Sequence, residues 1–312
     1  MSPVAAVTGI DIVICTYNRA AKLRNLLRSF ESVQIPSGVR AQLIVVDNGS
    51  TDGTLNAVET AQRSLVIPVR YLYDAKRGLA RCRNLGISVA QGDIVAFTDD
   101  DCIVSCDWVA SIWGHFHREP GLGVLGGRVE PANPSAYPLT LRLGSAEERL
   151  TSARQLLGFI HGCNMAFRRE ALERTGRFDT RFGCGGSLKA ADDADLVYRF
   201  YRLGYPVAYT PDVCVYHDHG RLRVGDAIAV ANAYAVGNGA LLTKHLMVGD
   251  AEALKLLRST LAGCFPYFLG NARTFSLSAA VSGINRLAHL ILGAVRYAWV
   301  SLRTAQGSTG RP

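Results

Sequence analysis

Gly92-Asp93-Ile94-Val95-Ala96-Phe97-Thr98-Asp99-Asp100-Asp101 is the stretch that decides how this chain reads. Ile94 to Phe97 is an apolar run of strand length, and three aspartates follow it almost at once. Adjacent carboxylates repel one another and lose hydration at the end of a core strand. A hard divalent cation, or a ring of donors on a ligand, relieves both costs, because such ions take oxygen ligands. A lone acidic triplet is as easily a solvated turn, so the surrounding pattern has to carry the argument.

Two upstream segments repeat the design. Ile10 to Cys15 runs into Thr16-Tyr17-Asn18-Arg19, and Leu43 to Val46 runs into Asp47-Asn48-Gly49-Ser50-Thr51-Asp52-Gly53. Near-continuous aliphatic runs suit strands covered on both faces, as in a parallel sheet. Between them Leu23, Leu26, Leu27 and Phe30 recur at helical spacing, and Leu55, Val58 and Ala61 do so after Asp52. Strand, helix, strand, helix predicts a right-handed βαβ array with polar residues at the carboxyl ends of the strands. In open α/β sheets ligands bind at that edge.

These segments resemble the family 2 glycosyltransferases of the GT-A fold, over roughly residues 10 to 245. The resemblance rests on Val13 to Arg19, Val45 to Asp52, Gly78-Leu79-Ala80-Arg81-Cys82-Arg83-Asn84, Gly92 to Asp101, Gly162-Cys163-Asn164-Met165-Ala166-Phe167-Arg168 and Asp192-Asp193-Ala194-Asp195-Leu196, in that order. It implies an α/β, mostly parallel Rossmann-like sheet flanked by helices, with a C-terminal helical extension. Residues 1–248 would form the catalytic domain, with a nucleotide-binding half to about residue 105 and an acceptor and base half over 106–248. Residues 249–303 read as the apolar extension, and 304–312 as a disordered tail.

The resemblance also implies roles. Thr16, Tyr17 and Asn18 would line the base pocket and Asp47 would accept a hydrogen bond from uracil, although Thr16 and Asn18 equally suit helix capping. Arg81 and Asn84, three residues apart on one helix, would face the nucleotide, Arg81 toward a phosphate or Asp99; an arginine on a helix is equally a solvated one. The usual Asp-x-Asp motif selects Asp99 and Asp101. Counting back from Ile103 instead makes Asp100 the direct ligand of Mg2+ or Mn2+, with Asp99 on the ribose and Asp101 behind. His217, after the late strand Val213 to Tyr216, would complete the metal site. His161, Asn164 and Asp192 would flank donor and acceptor.

Asp193 takes the position of the general base that removes the acceptor hydroxyl's proton; the usual Glu-Asp pair is here Asp-Asp. The competing reading of this cluster is complementation of a helix dipole. The glycine-rich loop Phe182 to Lys189 lacks a phosphate-cradle pattern and suits a lid. Taken together, the resemblance implies a metal-dependent, inverting transferase moving one sugar from a UDP-sugar to a saccharide or lipid-linked acceptor. A sugar-nucleotide pyrophosphorylase and a non-catalytic membrane-docked scaffold are the rival classes.

Composition sets the bounds. Hydrophobic residues make up 48% and charged residues 19% of the 312, as in a globular protein. No stretch of about twenty residues is free of charge, so no transmembrane span is expected. The N-terminus has no signal-peptide pattern, which favours a cytoplasmic location at the inner face of the cell membrane. Eight cysteines without zinc-ligand spacing read as small reduced residues. The net charge of +8 comes without a nucleic-acid-binding module, so it suits anionic head groups and a diphosphate rather than nucleic acid. Leu287, Leu290, Ile291, Ala294, Ala298 and Leu302, with Tyr297 and Trp299, suit a helix lying in a membrane surface. The same face also suits packing on the body or in a homodimer.

Overall fold

The computed structural model describes residues 9–264 and 277–308. Its first half alternates strand and helix as the apolar runs require: β1 (Gly9–Thr16), α1 (Ala20–Ser29), β2 (Arg40–Asp47), α2 (Thr54–Ser64), β3 (Val69–Tyr73), α3 (Leu79–Val89) and β4 (Ile94–Asp99). These strands pair in parallel in the order β3, β2, β1, β4. The chain therefore moves outward from β1 through β2 to β3, then returns to β1's other side as β4. A crevice opens at such a reversal, at the carboxyl ends of the strands.

Beyond β4 the sheet is mixed: the expected parallel pairing holds throughout the nucleotide half, and in the second half between β6 and β9. A turn at Asp100 and Asp101 leads to β5 (Cys102–Val104), followed by α4 (Trp108–Arg118), β6 (Val124–Pro131), β7 (Glu148–Arg149), β8 (Asn164–Arg168), α5 (Arg169–Thr175), α6 (Asp192–Arg202) and β9 (Val207–His217). Strand β8 is antiparallel to both β4 and β6; β9 runs parallel to β6 and antiparallel to β5 and β7.

Successive side chains of each strand enter opposite faces. Ile10, Ile12, Ile14, Leu43, Val45, Ile94 and Ala96 pack under α1, α2 and α4. Val13, Ile44, Val46, Val95 and Phe97 pack under α3, α5 and α6. The stripe expected on α1 is buried throughout. On α2 the buried face is Thr54, Ala57, Val58 and Ala61, whereas Leu55 is exposed, because Thr54 turns inward at the first turn.

Three helices complete the chain: α7 (Val224–Met247), α8 (Ala251–Ala262) and α9 (Leu277–Ser308). Glycines set how closely α7 and α9 cross. A Cβ on Gly239 would run into the Leu290 backbone, and one on Gly293 into the Val236 backbone. Asp195 of α6 ties α7 to the body through Lys244 at 2.9 Å and His245 at 3.0 Å, so it does far more than complement a dipole. Arg181 in turn reaches Asp179 and stacks on Tyr297 of α9.

The tail expected to be disordered from residue 304 continues as helix to Ser308; positions 309–312 lie outside the described residues, as do 265–276. Leu290 and Tyr297 are buried and Leu287 and Ala294 half-buried, so the expected membrane face of α9 is largely the face packed on the protein.

Candidate active site

Register brings the acidic turn and its partners together. Cys15 lies beside Asp99 across β1 and β4, and Cys102 lies beside His217 across β5 and β9. The ends of the first, fourth, fifth and ninth strands thus meet at one point, which opens into a cavity of about 530 Å3. That volume suits a nucleotide-sized ligand.

Each carboxylate of the triplet meets a cation. Asp99 pairs with Arg83 at 3.2 Å, and Asp100 accepts from Thr16 Oγ1 at 2.8 Å and from Arg19 at 3.0 Å. Asp101 pairs with Arg19 at 2.8 Å and with His217 Nε2 at 3.2 Å. Burial raises the pKa of Asp99, and it pushes Asp100 up to about 6 against the opposing charge of Arg19. Asp101 is also buried, yet the hydrogen bond and charge of His217, with Arg19 and Lys22, hold it below the usual carboxylate range. His217 responds in kind: burial opposes its protonation, but the Asp101 hydrogen bond outweighs this and lifts it to about 9.

The donor set fits a divalent cation. Donor atoms of Asp101, Cys102 and His217 lie within 4.8 Å of one another, and His217 Nδ1 is buried without a hydrogen-bond partner. Burial raises the Cys102 thiol, which leaves the hard carboxylate oxygens and the borderline imidazole nitrogen as the ligands. Asp100 is held by Thr16 and Arg19, and it stands outside the group formed with His217.

Asp193 enters the same cavity from the N-terminus of α6. Its Oδ2 accepts from the Gly162 amide at 2.8 Å and its Oδ1 from the Ala194 amide at 2.8 Å, which fixes the carboxylate's orientation. Asp192 is buried and paired with Arg83 at 2.7 Å. The approach to α6 is strained: Lys189 and Ala191, neither of them glycine, have φ of 74° and 67°. Such conformations persist where the surroundings over-determine them, often at functional sites. The glycine-rich loop walls the cavity through Cys184 and Gly185, pinned by the Leu79 amide donating to the Cys184 carbonyl at 2.9 Å.

Several residues expected at the site stand elsewhere. Arg81 points to the surface and pairs with Asp74 at 2.6 Å. Asn84 clasps the Phe178 backbone at both its N–H and C=O. Asn164 is fully buried, accepting from Trp108 Nε1 and donating to the Arg128 and Val213 carbonyls, so it fastens the sheet rather than meeting an acceptor. Asn18 joins the first two strand-end loops through Thr51 N and Ser50 Oγ. Asp47 is buried, its two oxygens accepting from Ser50 N and Tyr71 OH at 2.8 Å, and it is not part of the cavity wall. Asp52 accepts from the Ala20 and Thr54 amides and so caps two helices.

Thr16, Tyr17, His161 and all three triplet aspartates do line the cavity. Tyr17 carries Arg77 over its ring, and burial holds the His161 imidazole down at about 4. Lining residues that had no role assigned from the sequence include Arg19, Arg83 and Asn48. Arg83 bridges Asp99, Asp192 and the Gly162 carbonyl, and Asn48 binds the Lys76 carbonyl and the Gly78 amide. The signal for Arg83 was its place on the buried stripe Ala80, Arg83, Ile87 of α3.

Comparison with known proteins agrees with this fold. The chain is 28% identical over 208 residues to the succinoglycan biosynthesis protein ExoM of Rhizobium meliloti (strain 1021), covering 66% of each. It thus spans about two thirds of that relative's length, and about half of some others. The fold matches a mannosyltransferase from Pyrobaculum calidifontis, solved with GDP-Man and Mn2+, at a TM-score of 0.63 and 22% identity, over 95% of this chain and 88% of that one. It also matches residues 1–349 of S. aureus TarS in complex with UDP-GlcNAc, at a TM-score of 0.62 and 20% identity, over 92% and 82% of the two chains. The model of glycosyl transferase family 2 matches residues 11–176, and that of glycosyl transferase family group 2 matches 94–302. The chain belongs to glycosyl transferase family 2.

Proposed function

We propose that this protein moves one sugar from a nucleotide-sugar, first of all a UDP-sugar, to an acceptor hydroxyl, with inversion at the anomeric carbon. One observation carries the reading: the acidic turn after β4 and the oriented carboxylate of Asp193 line the same cavity from different elements. In-line displacement needs a seat for the leaving diphosphate on one side and a base on the other.

Asp101 and His217, with Asp99 and Asp100 beside them, would hold Mg2+ or Mn2+. When bound, such an ion supplies positive charge against the departing diphosphate. Asp193 takes the acceptor's proton as the hydroxyl oxygen bonds to the anomeric carbon. The bond from that carbon to the phosphate oxygen breaks, and the electron pair leaves with the diphosphate. Arg83 positions both halves, gripping Asp192 beside the base and Asp99 beside the metal turn. Tyr17 and Arg77 offer an aromatic face and a cation to the nucleotide, while Asn48 holds the Asp74–Gly78 loop beside them.

The acceptor is a saccharide, and a lipid-linked one suits both the succinoglycan relative and the apolar C-terminal helices. On this reading the reaction takes place at the inner face of the cell membrane, in polysaccharide or envelope synthesis. Among the described residues, no helix is long and apolar enough to cross a membrane.

Isothermal titration of UDP and GDP, with and without Mn2+, into wild type and Asp101→Asn tests the reading. UDP binding that needs both Mn2+ and Asp101 is the expected result. Metal-dependent binding of GDP alone would change the donor, and no metal-dependent binding of either would return a non-catalytic scaffold to the front.

A further inference from the structure

Helix α9 has two apolar faces, and among the described residues only one is covered by the rest of the protein. Gly283, Leu290, Gly293 and Tyr297 are buried, with Leu287 half-buried beside them. The outer face carries Val281, Ile284, Ile291, Val295, Trp299 and Leu302, all exposed, and Val295 and Leu302 are 60% and 64% exposed. Their spacing of three, seven, four, four and three keeps them in one stripe along the helix. At 1.5 Å per residue the stripe runs for roughly 30 Å. A contiguous exposed stripe of this size marks a surface that something covers.

Charge says what the cover is. Helix α9 contains no aspartate or glutamate, while Arg286, Arg296 and Arg303 lie along it. Arg303 folds over the Trp299 ring, so the end of the stripe pairs an aromatic with a cation. A second copy of the helix laid on this face would bring arginines together with no carboxylate to answer them. An anionic bilayer answers them directly, and Trp with Arg beside aliphatic residues suits the boundary between head groups and acyl chains.

We propose that the outer face of α9 docks on an anionic phospholipid surface, with its axis in the membrane plane. The face lies behind the active site. Val230, Ala233 and Tyr234 of α7 line the cavity, while Val236 and Gly239 of the same helix pack on α9. Helix α7 thus stands between cavity and membrane, and helices pack about 8–10 Å apart. Docking would hold the cavity within about two helix layers of the bilayer, in reach of a head-group-borne saccharide. That consequence rests on the transferase reading, whereas the docking itself does not.

The test is flotation of the full chain with phosphatidylglycerol–phosphatidylcholine vesicles and with pure phosphatidylcholine vesicles. It compares wild type, Ile291→Asp/Trp299→Asp and Arg296→Glu/Arg303→Glu, with analytical ultracentrifugation of each. Wild type should float with the anionic vesicles and at least about tenfold less with neutral ones. Both variants should lose at least about tenfold on anionic vesicles, and all three proteins should sediment alike. UDP titration of the variants shows that they are folded and that the donor site is intact. Equal binding by wild type and variants overturns the proposal. So does a wild-type dimer that Ile291→Asp/Trp299→Asp dissociates without any vesicle binding, since the face then belongs to a second copy. Vesicle binding without UDP binding would leave the docking standing and remove the transferase reading alone.

Discussion

The carboxyl ends of β2 and β4 look alike in sequence and behave oppositely in the fold. Asp47, at the end of β2, meets only neutral donors, the Ser50 amide and the Tyr71 hydroxyl, and is buried behind the cavity wall. Asp99, Asp100 and Asp101, at the end of β4, meet Arg83, Arg19 and His217, and all three line the cavity. Neutral hydrogen bonds satisfy a buried carboxylate and make it part of the scaffold. Charged partners around a crowded triplet leave groups whose pairing a ligand or cation can rearrange. A strand-end acid is therefore a site candidate when its partners are ionic and shared, and a structural one when they are local and neutral.

The contrast can be broken at four points. The largest effect should come from Asp193→Asn, in the carboxylate that lines the same cavity as the triplet. Turnover should fall about a hundredfold to ten-thousandfold while UDP affinity stays within a factor of a few; loss of UDP affinity instead would make Asp193 a binding residue. Next is Arg83→Met, which strands Asp99 and Asp192. Urea unfolding should show a loss of about 3–5 kcal/mol, because a buried pair broken on one side leaves an uncompensated charge. A near-neutral result would mean that the two aspartates find other partners.

Asp47→Asn should act on stability alone. An amide N–H directed at the Ser50 amide or the Tyr71 hydroxyl removes an acceptor at a cost of about 1–3 kcal/mol. The nucleotide dissociation constant should hardly move, and a tenfold weakening would restore the base contact read from the sequence. The smallest effect is a slope. Burial raises Asp100 to about 6, above its usual value of 3.8, so the native state holds the proton more tightly than the unfolded one. Its contribution is fully present below about 4 and is lost as pH rises through about 6. In protein stripped of metal with a chelator, Asp100→Asn should flatten the stability curve between those limits. An unchanged slope would mean that Arg19 keeps Asp100 ionised throughout.

Sites legible in the sequence were those fixed by position along one element. Strand-end placement found the triplet, and the family resemblance supplied Thr16, Tyr17, Asp192 and Asp193 at strand and helix ends. Arg81 and Asn84 failed for a rotational reason. The face of α3 that meets the cavity carries Leu79, Cys82 and Arg83; relative to Arg83, Arg81 is turned through about 200° and Asn84 through about 100°. Asn164 failed because the antiparallel neighbours of β8 close over it, which no local pattern records.

By itself the sequence determined the parallel half of the sheet, its ligand edge and the acidic turn, because apolar period and strand-end polarity are properties of contiguous residues. Only the tertiary structure decided that Arg83 rather than Arg81 holds the site. It paired His217 with Asp101 in particular, and gave one apolar face of α9 to α7 while, among the described residues, leaving the other outside. Those outcomes depend on pairing and packing between segments from 16 to more than 100 residues apart, where register and helix rotation are set by the partner and not by the segment.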